Sequence, residues 1–538
     1  MSTVKRTVLV LGITVLGMLA ISALHRVEAQ LNEDDFVSLA TQGFMTAVDG
    51  DHPEGSRRNS YIWAMRWWHD TLYVGTLRDA VCLFNTGENV PPGYETVCPP
   101  PGVFLTPEQR AEIWAYTPEG RDGTDGTWQR VFQSPVAAPP PAIPDAQFPR
   151  EFGYRGLTTC DAGGQENLYV ITLGPVGGRV LYSPDGTTFP EASLLGLDLA
   201  NDLGYRALLC WKERLWISPS GRLFITSFTP FTFRLDPDIA FNAVLLTNSD
   251  PSNPTSPWEA IVDVTNDPQL GNPNNQGLWG LEVFRGDLYI GTVNRTTGFE
   301  VWRANGARCH KPPKGCKLAW EKLIVNGGGL PVPIDPPISL NTRIFQFKEF
   351  NGYLYFTAGE TFRSQFGPPA ELGRIGPDGR WDLIVGAARD ANTMAAYPNF
   401  NCQRQGAWCL PLSGRGPSFG PDPFTRGAAL YFWQLLVHDG FFYLGTAESG
   451  QGGGLGTCGS PGEGFDLWQS HNGIDWSLVF DDGLGNPCNY GARKLESTPL
   501  GMFLGTANPR TIEDGTGPSG GTGGAEVYLG ISSHKSHK

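Results

Sequence analysis

The sequence LYIGT at residues 288–292 decides the fold, because versions of it recur along the whole chain. Each copy is a short aromatic–aliphatic run, and most copies end in Gly-Thr or Thr. The seven copies are LYVGT at 72–76, LYVIT at 168–172, LWIS at 215–218, LYIGT at 288–292, LYFT at 354–357, FYLGT at 442–446 and FLGT at 503–506. Self-similarity of this kind indicates a repeat architecture.

Each copy lies in a similar surrounding sequence. WGLEVF at 279–284 leads through the turn RGD at 285–287 into LYIGT, which is typical of a β-hairpin. A third run follows, such as FEVW at 299–302, and often a fourth that begins with an aromatic residue, such as WEKL at 320–323. Four strands in each of seven units predict an all-β fold, a seven-bladed β-propeller of four-stranded blades.

The two ends of the chain complement each other. The seventh unit ends at residues 528–529 with no fourth strand after it, whereas FVSL at 36–39 precedes the first unit. We expect this N-terminal strand to complete the last blade and to close the ring, since an open ring would expose edge strands. The prediction is one propeller domain over residues 30–530 with a short polar tail at 531–538.

The composition fits this architecture. The 538 residues include 69 Gly and 44 Pro, 17% are charged and 12% are aromatic, which disfavours coiled coils and general disorder. The formal net charge is −14. Because nucleic-acid binders carry a basic surface, no nucleic-acid partner is expected.

The N-terminus predicts export. Lys5 and Arg6 precede an apolar run at 7–24, and small residues at 27–29 offer a cleavage site. This pattern is typical of a signal peptide over residues 1–29. The run is long enough that an uncleaved membrane anchor is the alternative. After cleavage we expect a secreted or periplasmic protein, a monomer with no membrane association.

The ten cysteines favour an oxidising compartment, because their number is even and several are close in sequence. The suggested pairs are Cys82–Cys98, Cys160–Cys210, Cys309–Cys316, Cys402–Cys409 and Cys458–Cys488. The sequence contains no C-x-x-C and no H-E-x-x-H motif, so neither a metal site nor a cofactor is predicted.

Two turn sequences carry a family resemblance. SPDGTTF at 183–189 and SHNGIDW at 470–476 look like Asp-box turns, and GPDGRW at 376–381 is a weaker version. The chain therefore resembles the Asp-box (BNR repeat) sialidase-like propeller superfamily. The resemblance implies a structural turn between the third and fourth strands and no particular activity. No Phe/Tyr-Arg-Ile-Pro element precedes the first blade, so no catalytic residue is carried over.

Long loops concentrate in two classes, which a propeller places on one face. They are the two-to-three loops at 77–111, 219–242, 447–463 and 507–523 and the four-to-one loops at 133–152 and 386–430. Loops on rigid scaffolds carry function, so this face is the expected binding face. The alternative is that insertions are merely tolerated there.

Alignment of the seven first strands brings arginine and tryptophan to one position. The aligned residues are Trp63, Arg155, Arg206, Trp279, Arg343, Trp433 and Arg493. A ring of them at the channel mouth suits an anionic or carbohydrate ligand. The alternative is structural, with each arginine paired to an acid of a third strand. Those acids are Glu112, Glu300, Glu371, Asp466 and Glu526.

The sequence therefore predicts a secreted scaffold that binds an extracellular, carbohydrate or anionic ligand. A sialidase-like glycoside hydrolase or lyase and a protein-interaction or adhesion module remain alternatives, and the question of an enzyme stays open. Glycosidases need two facing carboxylates. The candidates near strand ends are interpreted as solvated loop acids: Asp79, Glu282, Glu360 and Glu448.

Overall fold

The structure, a computed structural model, describes most of the chain. The described residues are 30–84, 107–137, 148–175, 177–193, 197, 202–228, 231–236, 242–263, 265–310, 315–329, 341–359, 370–415, 429–448, 458–459, 462–510 and 521–532. The predicted signal peptide and residues 533–538 of the predicted tail lie outside this set.

The fold is all-β. Within the described residues, consecutive strands pair antiparallel in seven successive meanders, which we call units 1 to 7. Their strands are Asn59–Trp68, Thr71–Arg78, Glu112–Glu119 and Asp125–Gln133 in unit 1; Gly153–Cys160, Asn167–Leu173 and Val180–Ser183 in unit 2; Asp202–Trp211, Arg214–Phe228, Leu245–Asn248 and Glu259–Val262 in unit 3; Gly277–Phe284, Asp287–Val293, Val301–Cys309 and Cys316–Ile324 in unit 4; Arg343–Phe350, Tyr353–Gly359, Glu371–Ile375 and Trp381–Val385 in unit 5; Ala429–His438, Phe441–Glu448, Leu467–Ser470 and Ser477–Phe480 in unit 6; and Gly491–Ser497, Met502–Ala507 and Val527–Gly530 in unit 7.

The N-terminal strand pairs with the end of the chain, as predicted. Phe36–Thr41 runs antiparallel to Val527–Gly530, with Phe36 opposite Gly530. The chain then forms the short hairpin strands Thr46–Ala47 and Gly50–Asp51 before it enters unit 1. The Trp128 indole of unit 1 donates a hydrogen bond of 3.1 Å to the carbonyl of Leu39. The N-terminal segment therefore contacts both unit 7 and unit 1.

Neighbouring units also meet through single backbone pairs. Each joins the end of one unit's second strand to the start of the next unit's first strand. The recorded pairs are Leu77 with Gly153, Leu173 with Gly204, Val293 with Arg343, Ala447 with Gly491 and Ala507 with Tyr61. The last of these pairs joins unit 7 to unit 1.

Aromatic side chains fill the space between units. The Phe442 ring of unit 6 lies 4.9 Å from the Phe350 ring and 4.8 Å from the Tyr355 ring of unit 5, measured between centroids. All three side chains are buried. Packing of whole rings between sheets explains why aromatic residues recur at fixed places in the repeats.

Two turns that follow third strands, in units 2 and 6, share one hydrogen-bonding pattern. Ser183 Oγ accepts from the Gly186 amide at 2.8 Å, and Asp185 Oδ1 accepts from the two following amides. In unit 6, Ser470 accepts from Gly473 and Asn472 replaces the aspartate. Both glycines have positive φ, 77° and 76°. Each turn thus satisfies its own backbone amides, as expected for these sequences.

The insertions carry structure of their own. The second strand of unit 3 continues to Phe228 and pairs with Phe231–Asp236, so the prediction of a loop over 219–242 is wrong for most of that range. Between units 5 and 6, a small three-stranded sheet consists of Arg389–Asp390, Gln403–Gln405 and Trp408–Leu410. The helical segments within the described ranges are short: Glu33–Asp35, Ala80–Phe84, Pro107–Gln109, Ala162–Gly164, Pro268–Gly271, Asn326–Gly329 and Ala391–Met394.

Four of the five suggested disulfides are present. They are Cys160–Cys210, Cys309–Cys316, Cys402–Cys409 and Cys458–Cys488. Cys82 is also disulfide-bonded, and Cys98, its suggested partner, lies outside the described residues. These bonds fit an oxidising, extracellular type of compartment. In the described part of the chain, no helix has the length and apolar character needed to cross a membrane.

Candidate functional site

Each of the seven first strands contains a β-bulge, and the bulged residue is the one that repeats. At each bulge one residue lacks a partner in the second strand. The bulges at matching positions fall at Trp63, Arg155, Arg206, Trp279, Phe345, Trp433 and Arg493, and units 1 and 6 have a second bulge nearer the start of the strand, at Ser60 and Leu430. Bulges redirect a side chain out of the regular pleat, so one redirected side chain comes from every unit.

The predicted alignment is right for six units and wrong for unit 5. There the bulge falls at Phe345, between Ile344 and Gln346, and Arg343 lies two residues earlier. The signal that would have located the bulge is a constant spacing from the end of the strand. In units 1 to 6 the bulged residue lies five positions before the last residue of the first strand. Counting back from Phe350, rather than comparing residue types, identifies Phe345.

Cations and indole rings alternate through this set. The guanidinium carbon of Arg155 lies 5.0 Å from the Trp63 ring centroid and 5.9 Å from that of Trp279. Arg206 lies 4.4 Å from the Trp279 centroid. Arg493 lies 5.9 Å from the Trp63 centroid and 4.8 Å from that of Trp433. The bulged residues of units 1, 2, 3, 4, 6 and 7 are thus connected by cation–π contacts.

Arg343 joins the same contacts although it is not the bulged residue. Its guanidinium carbon lies 4.9 Å from the Trp279 centroid, and its side chain is fully buried. The Phe345 ring lies 5.8 Å from the Trp279 ring. Trp279 therefore contacts residues of units 2, 3 and 5. All seven predicted residues belong to one set, which together with Phe345 we call the axial cluster.

The axial cluster lies beside further charged groups of the first strands. Burial lowers the pKa of Lys494, while Glu496 opposes this change and three cations, Arg493, Lys348 and Arg66, add to it. Arg66 lies 3.7 Å from Glu496. Glu282 faces Lys348 and Glu349, and burial raises its pKa. A cationic environment thus extends beyond the axial cluster along the first strands.

The charge balance of this region is opposite to that of the whole protein. The four arginines of the axial cluster, Arg66, Lys348 and Lys494 face three acids, Glu282, Glu349 and Glu496. With Glu448 and Asp466 of unit 6, which also lie near the cluster, these twelve groups carry a net formal charge of +2, whereas that of the chain is −14. A local potential of the opposite sign attracts anions.

The third-strand acids have partners within their own units. In four units the acid accepts a hydrogen bond from an asparagine that precedes or begins the first strand. These pairs are Asn59–Glu112, Asn275–Glu300, Asn341–Glu371 and Asn489–Glu526. Glu112 also pairs with Arg78, and Glu371 with Arg389. In these four units the acid is thus hydrogen-bonded within its own unit.

Unit 6 places two carboxyl groups near the axial cluster. Burial raises the pKa of Glu448 well above its ordinary value, and the nearby Asp466 carboxylate raises it further. The Glu448 amide donates to the Tyr490 carbonyl at 2.7 Å. The Tyr490 ring lies 5.4 Å from the Trp433 ring, and its hydroxyl is hydrogen-bonded to that of Tyr61.

The interpretation of the candidate acids as solvated is wrong for Asp79, whereas the side chains of Glu282 and Glu448 are half-buried. Asp79 is fully buried, and its carboxylate accepts a 2.7 Å hydrogen bond from Arg58. Burial raises the pKa of Asp79, as it does for Glu282 and Glu448. Glu360 lies outside the described residues. Burial of a strand end is not visible in a single sequence, and the local patterns around these acids gave no sign of it.

Comparisons with known proteins define no family. No family model and no curated protein matches the chain. Among solved structures, YCF48 from Cyanidioschyzon merolae is 10% identical at a TM-score of 0.38, over 88% of this chain and 96% of that one. A puromycin-hydrolysing peptidase of Mycobacterium tuberculosis is 10% identical at a TM-score of 0.35, over 84% of this chain. This chain spans 58% of the peptidase's length.

A third solved structure is the GH43 β-xylosidase/α-arabinofuranosidase CoXyl43, from a compost microbial metagenome. It is 12% identical at a TM-score of 0.30, over 65% of this chain and 98% of that one. At such TM-scores and identities, none of these similarities indicates a function for this chain. The function has to be argued from the residues themselves.

Proposed function

We propose that the seven units are the blades of one seven-bladed propeller, closed into a ring by the N-terminal strand. Two observations support this proposal. Phe36–Thr41 pairs with the last strand of unit 7, and Ala507 of unit 7 pairs with Tyr61 of unit 1. In such a ring the first strands are innermost, so the axial cluster surrounds the central channel. The Asp-box resemblance of the turns at 183–189 and 470–476 belongs to the same proposal.

We further propose that the protein binds an anionic ligand, with an acidic carbohydrate favoured, at the mouth of this channel. The observation that carries the proposal is the meeting of four arginines and three tryptophans from all the units at one place. Arginine forks bind carboxylate and sulfate, and indoles stack on sugar faces. Arg206 is only half-buried and is therefore the arginine that a ligand at the mouth would contact first.

A purely structural role explains the cluster less well. Unit 5 places Phe345 at the bulge, which shows that an apolar ring suffices to fill this position. Burying a cation costs free energy that an apolar residue of similar size avoids. Three of the seven bulges nevertheless carry arginine, and Arg343 adds a fourth guanidinium.

The test is isothermal titration of the full-length mature chain with sulfated, carboxylated and neutral oligosaccharides of equal length. We expect binding of the acidic probes that weakens as salt is raised, and about tenfold weaker binding by Arg206→Gln. Arg121→Gln, which removes an exposed arginine of a three-to-four turn, is the matched control. Binding of the acidic probes that does not weaken as salt is raised, or wild-type affinity for them in Arg206→Gln, would contradict the proposal.

Glycoside hydrolysis is the second candidate, because one observation favours it. A retaining or inverting glycosidase uses one protonated and one ionised carboxyl group, and Asp466 lies close enough to raise the pKa of Glu448. Hydrolysis of chromogenic glycosides by the wild type and its loss in Glu448→Gln, with an unchanged thermal transition, would support this candidate. If the wild type hydrolyses none of these glycosides, the hydrolase candidate fails and only the binding proposal remains.

Export is part of the proposal. The four disulfides of the described chain fit an oxidising compartment, and the sequence predicts cleavage after Ala29. Mass spectrometry of the protein recovered from the medium or periplasm should give an N-terminus at Gln30. An intact N-terminus in the membrane fraction would favour the alternative of an uncleaved anchor.

A further inference from the structure

Trp408 differs from every other tryptophan of the chain. All sixteen tryptophans lie in described residues, and fifteen of them are buried or half-buried. Trp408 is exposed over 51% of its surface. The aromatic residues of the repeats serve packing between strands, so an exposed indole outside the repeats needs another explanation.

The small sheet between units 5 and 6 holds Trp408 in place. Trp408 lies on its central strand, directly opposite Asp390 on one neighbouring strand and Gln405 on the other. Directly opposed residues of antiparallel strands point to the same face of a sheet. Asp390, Trp408 and Gln405 therefore form a row across one face, with the indole in the middle. We call this row the Trp408 platform.

A disulfide and a buried arginine attach the platform to the rest of the protein. The Cys402–Cys409 disulfide joins the two strands of the Trp408 hairpin. Arg389, which precedes Asp390, is buried and donates two hydrogen bonds to Glu371 of unit 5, at 2.8 and 2.6 Å. Asp390 Oδ1 accepts from both the amide and the hydroxyl of Thr393. The backbone of the row and the Asp390 carboxylate are thus held in place before any ligand arrives, which lowers the entropic cost of binding.

The surroundings of Trp408 are polar. Residues 402–407 are all exposed, and they include Gln403, Arg404 and Gln405. The other exposed large apolar side chains of the described chain lie in the N-terminal segment, unit 1 or unit 6: Val37, Met45, Val48, Val136 and Leu478. A protein partner requires a wider apolar patch than one indole. A single flat ring flanked by a carboxylate and amides instead matches a ligand that has one apolar face and hydroxyl groups along its edge.

We propose that the Trp408 platform is a second carbohydrate site, which stacks a pyranose ring on the indole and bonds its hydroxyls to Asp390 and Gln405. This inference rests on the proposed carbohydrate-binding function. The segment that carries the platform runs beside the fourth strand of unit 5 through bridges at Trp381 and Val385. The fourth strand is at the opposite edge of the unit from the first strand. The platform is therefore separate from the axial cluster, and its indole suits uncharged sugars rather than anions.

The test uses the full-length mature protein labelled with 15N-tryptophan and three neutral probes, namely cellohexaose, xylohexaose and mannohexaose. We expect at least one probe to shift the indole signal of Trp408, assigned by its disappearance in Trp408→Phe. Affinity should fall about tenfold in Trp408→Ala and much less in Trp408→Phe, which keeps an aromatic face. Leu478→Ala, which truncates an exposed apolar residue of unit 6, should bind like the wild type.

Two results would overturn the inference. One is that no neutral probe shifts the Trp408 signal, and the other is that Trp408→Ala binds as well as the wild type while its thermal transition is unchanged. These failures are distinguishable from failure of the axial site, because neutral probes report on the platform and sulfated probes on Arg206. If both probe classes fail, the carbohydrate-binding function fails with them.

Discussion

The guanidinium of Arg155 lies within 6 Å of two indole rings, 5.0 Å from the centroid of Trp63 and 5.9 Å from that of Trp279. These three residues belong to units 2, 1 and 4, so the contact joins parts of the chain that are more than two hundred residues apart in sequence. Contacts between side chains of non-adjacent units are what the proposed ring of blades requires.

A double-mutant cycle should detect the first of these contacts. Trp63→Leu and Arg155→Met each remove one partner, and a cation–π pair of this kind contributes about 1 kcal/mol. We expect the free energies of unfolding in urea to be non-additive by about that amount. Trp67 lies in the same strand and stacks on Phe503 instead, so Trp67→Leu combined with Arg155→Met should be additive. Equal coupling in both cycles would show that the effect is not specific to the contact.

Glu448 should make stability depend on pH. An unfolded glutamate ionises near 4.5, and burial raises the pKa in the folded state well above this value. Between the two pKa values the folded protein binds the extra proton, so stability falls as pH rises through that interval. Glu448→Gln should therefore stabilise the protein at pH 8 and change little at pH 4, with a gain of about 1.4 kcal/mol per unit of pKa difference. Urea unfolding across this pH range provides the measurement, and a constant difference between variant and wild type would refute the assignment.

Any side chain at Gly186 should destabilise the folded protein. Gly186 has a φ of 77°, and an added Cβ would collide with the Tyr73 hydroxyl of unit 1. Gly120, in the three-to-four turn of unit 1, has a φ of 84° with open space around it. Gly120→Ala should cost about 1 kcal/mol through backbone strain alone. Gly186→Ala should cost about 2 kcal/mol more because of the collision, as measured by thermal unfolding. Similar losses in the two variants would argue against close packing of the turn on Tyr73.

The N-terminal strand should be essential for stability. Leu39 is buried and Val37 is 39% exposed, although both lie in the strand that pairs with unit 7. Leu39→Ala should destabilise the protein by about 2–5 kcal/mol, and Val37→Ala by less than about 0.5 kcal/mol. Chemical unfolding of both variants gives the comparison. A small effect of Leu39→Ala would mean that unit 7 is stable without the N-terminal strand.

The repeated units were predictable because each contains its own local signal. Aromatic–aliphatic runs, short polar turns and aromatic anchors recur in every unit, and two disulfide pairs, Cys309–Cys316 and Cys402–Cys409, followed from proximity in sequence. The register of unit 5 was not predictable from residue type, because an arginine lies two positions before the phenylalanine that occupies the bulge. The raised pKa of Glu448 depends on burial and on Asp466, which is eighteen residues away. Such contacts form only when strands from distant parts of the repeat pack together.

The pairing of residues 36–41 with residues 527–530 sets the order in which the molecule can be completed. The strand that leaves the ribosome first finds its partner only when almost the entire polypeptide has been made. Until then it can pair only with the short strand Thr46–Ala47, and the last unit lacks its fourth strand. The final architecture therefore depends on the whole chain. A fragment that stops before residue 527 lacks the strand that pairs with residues 36–41, however well its other units fold.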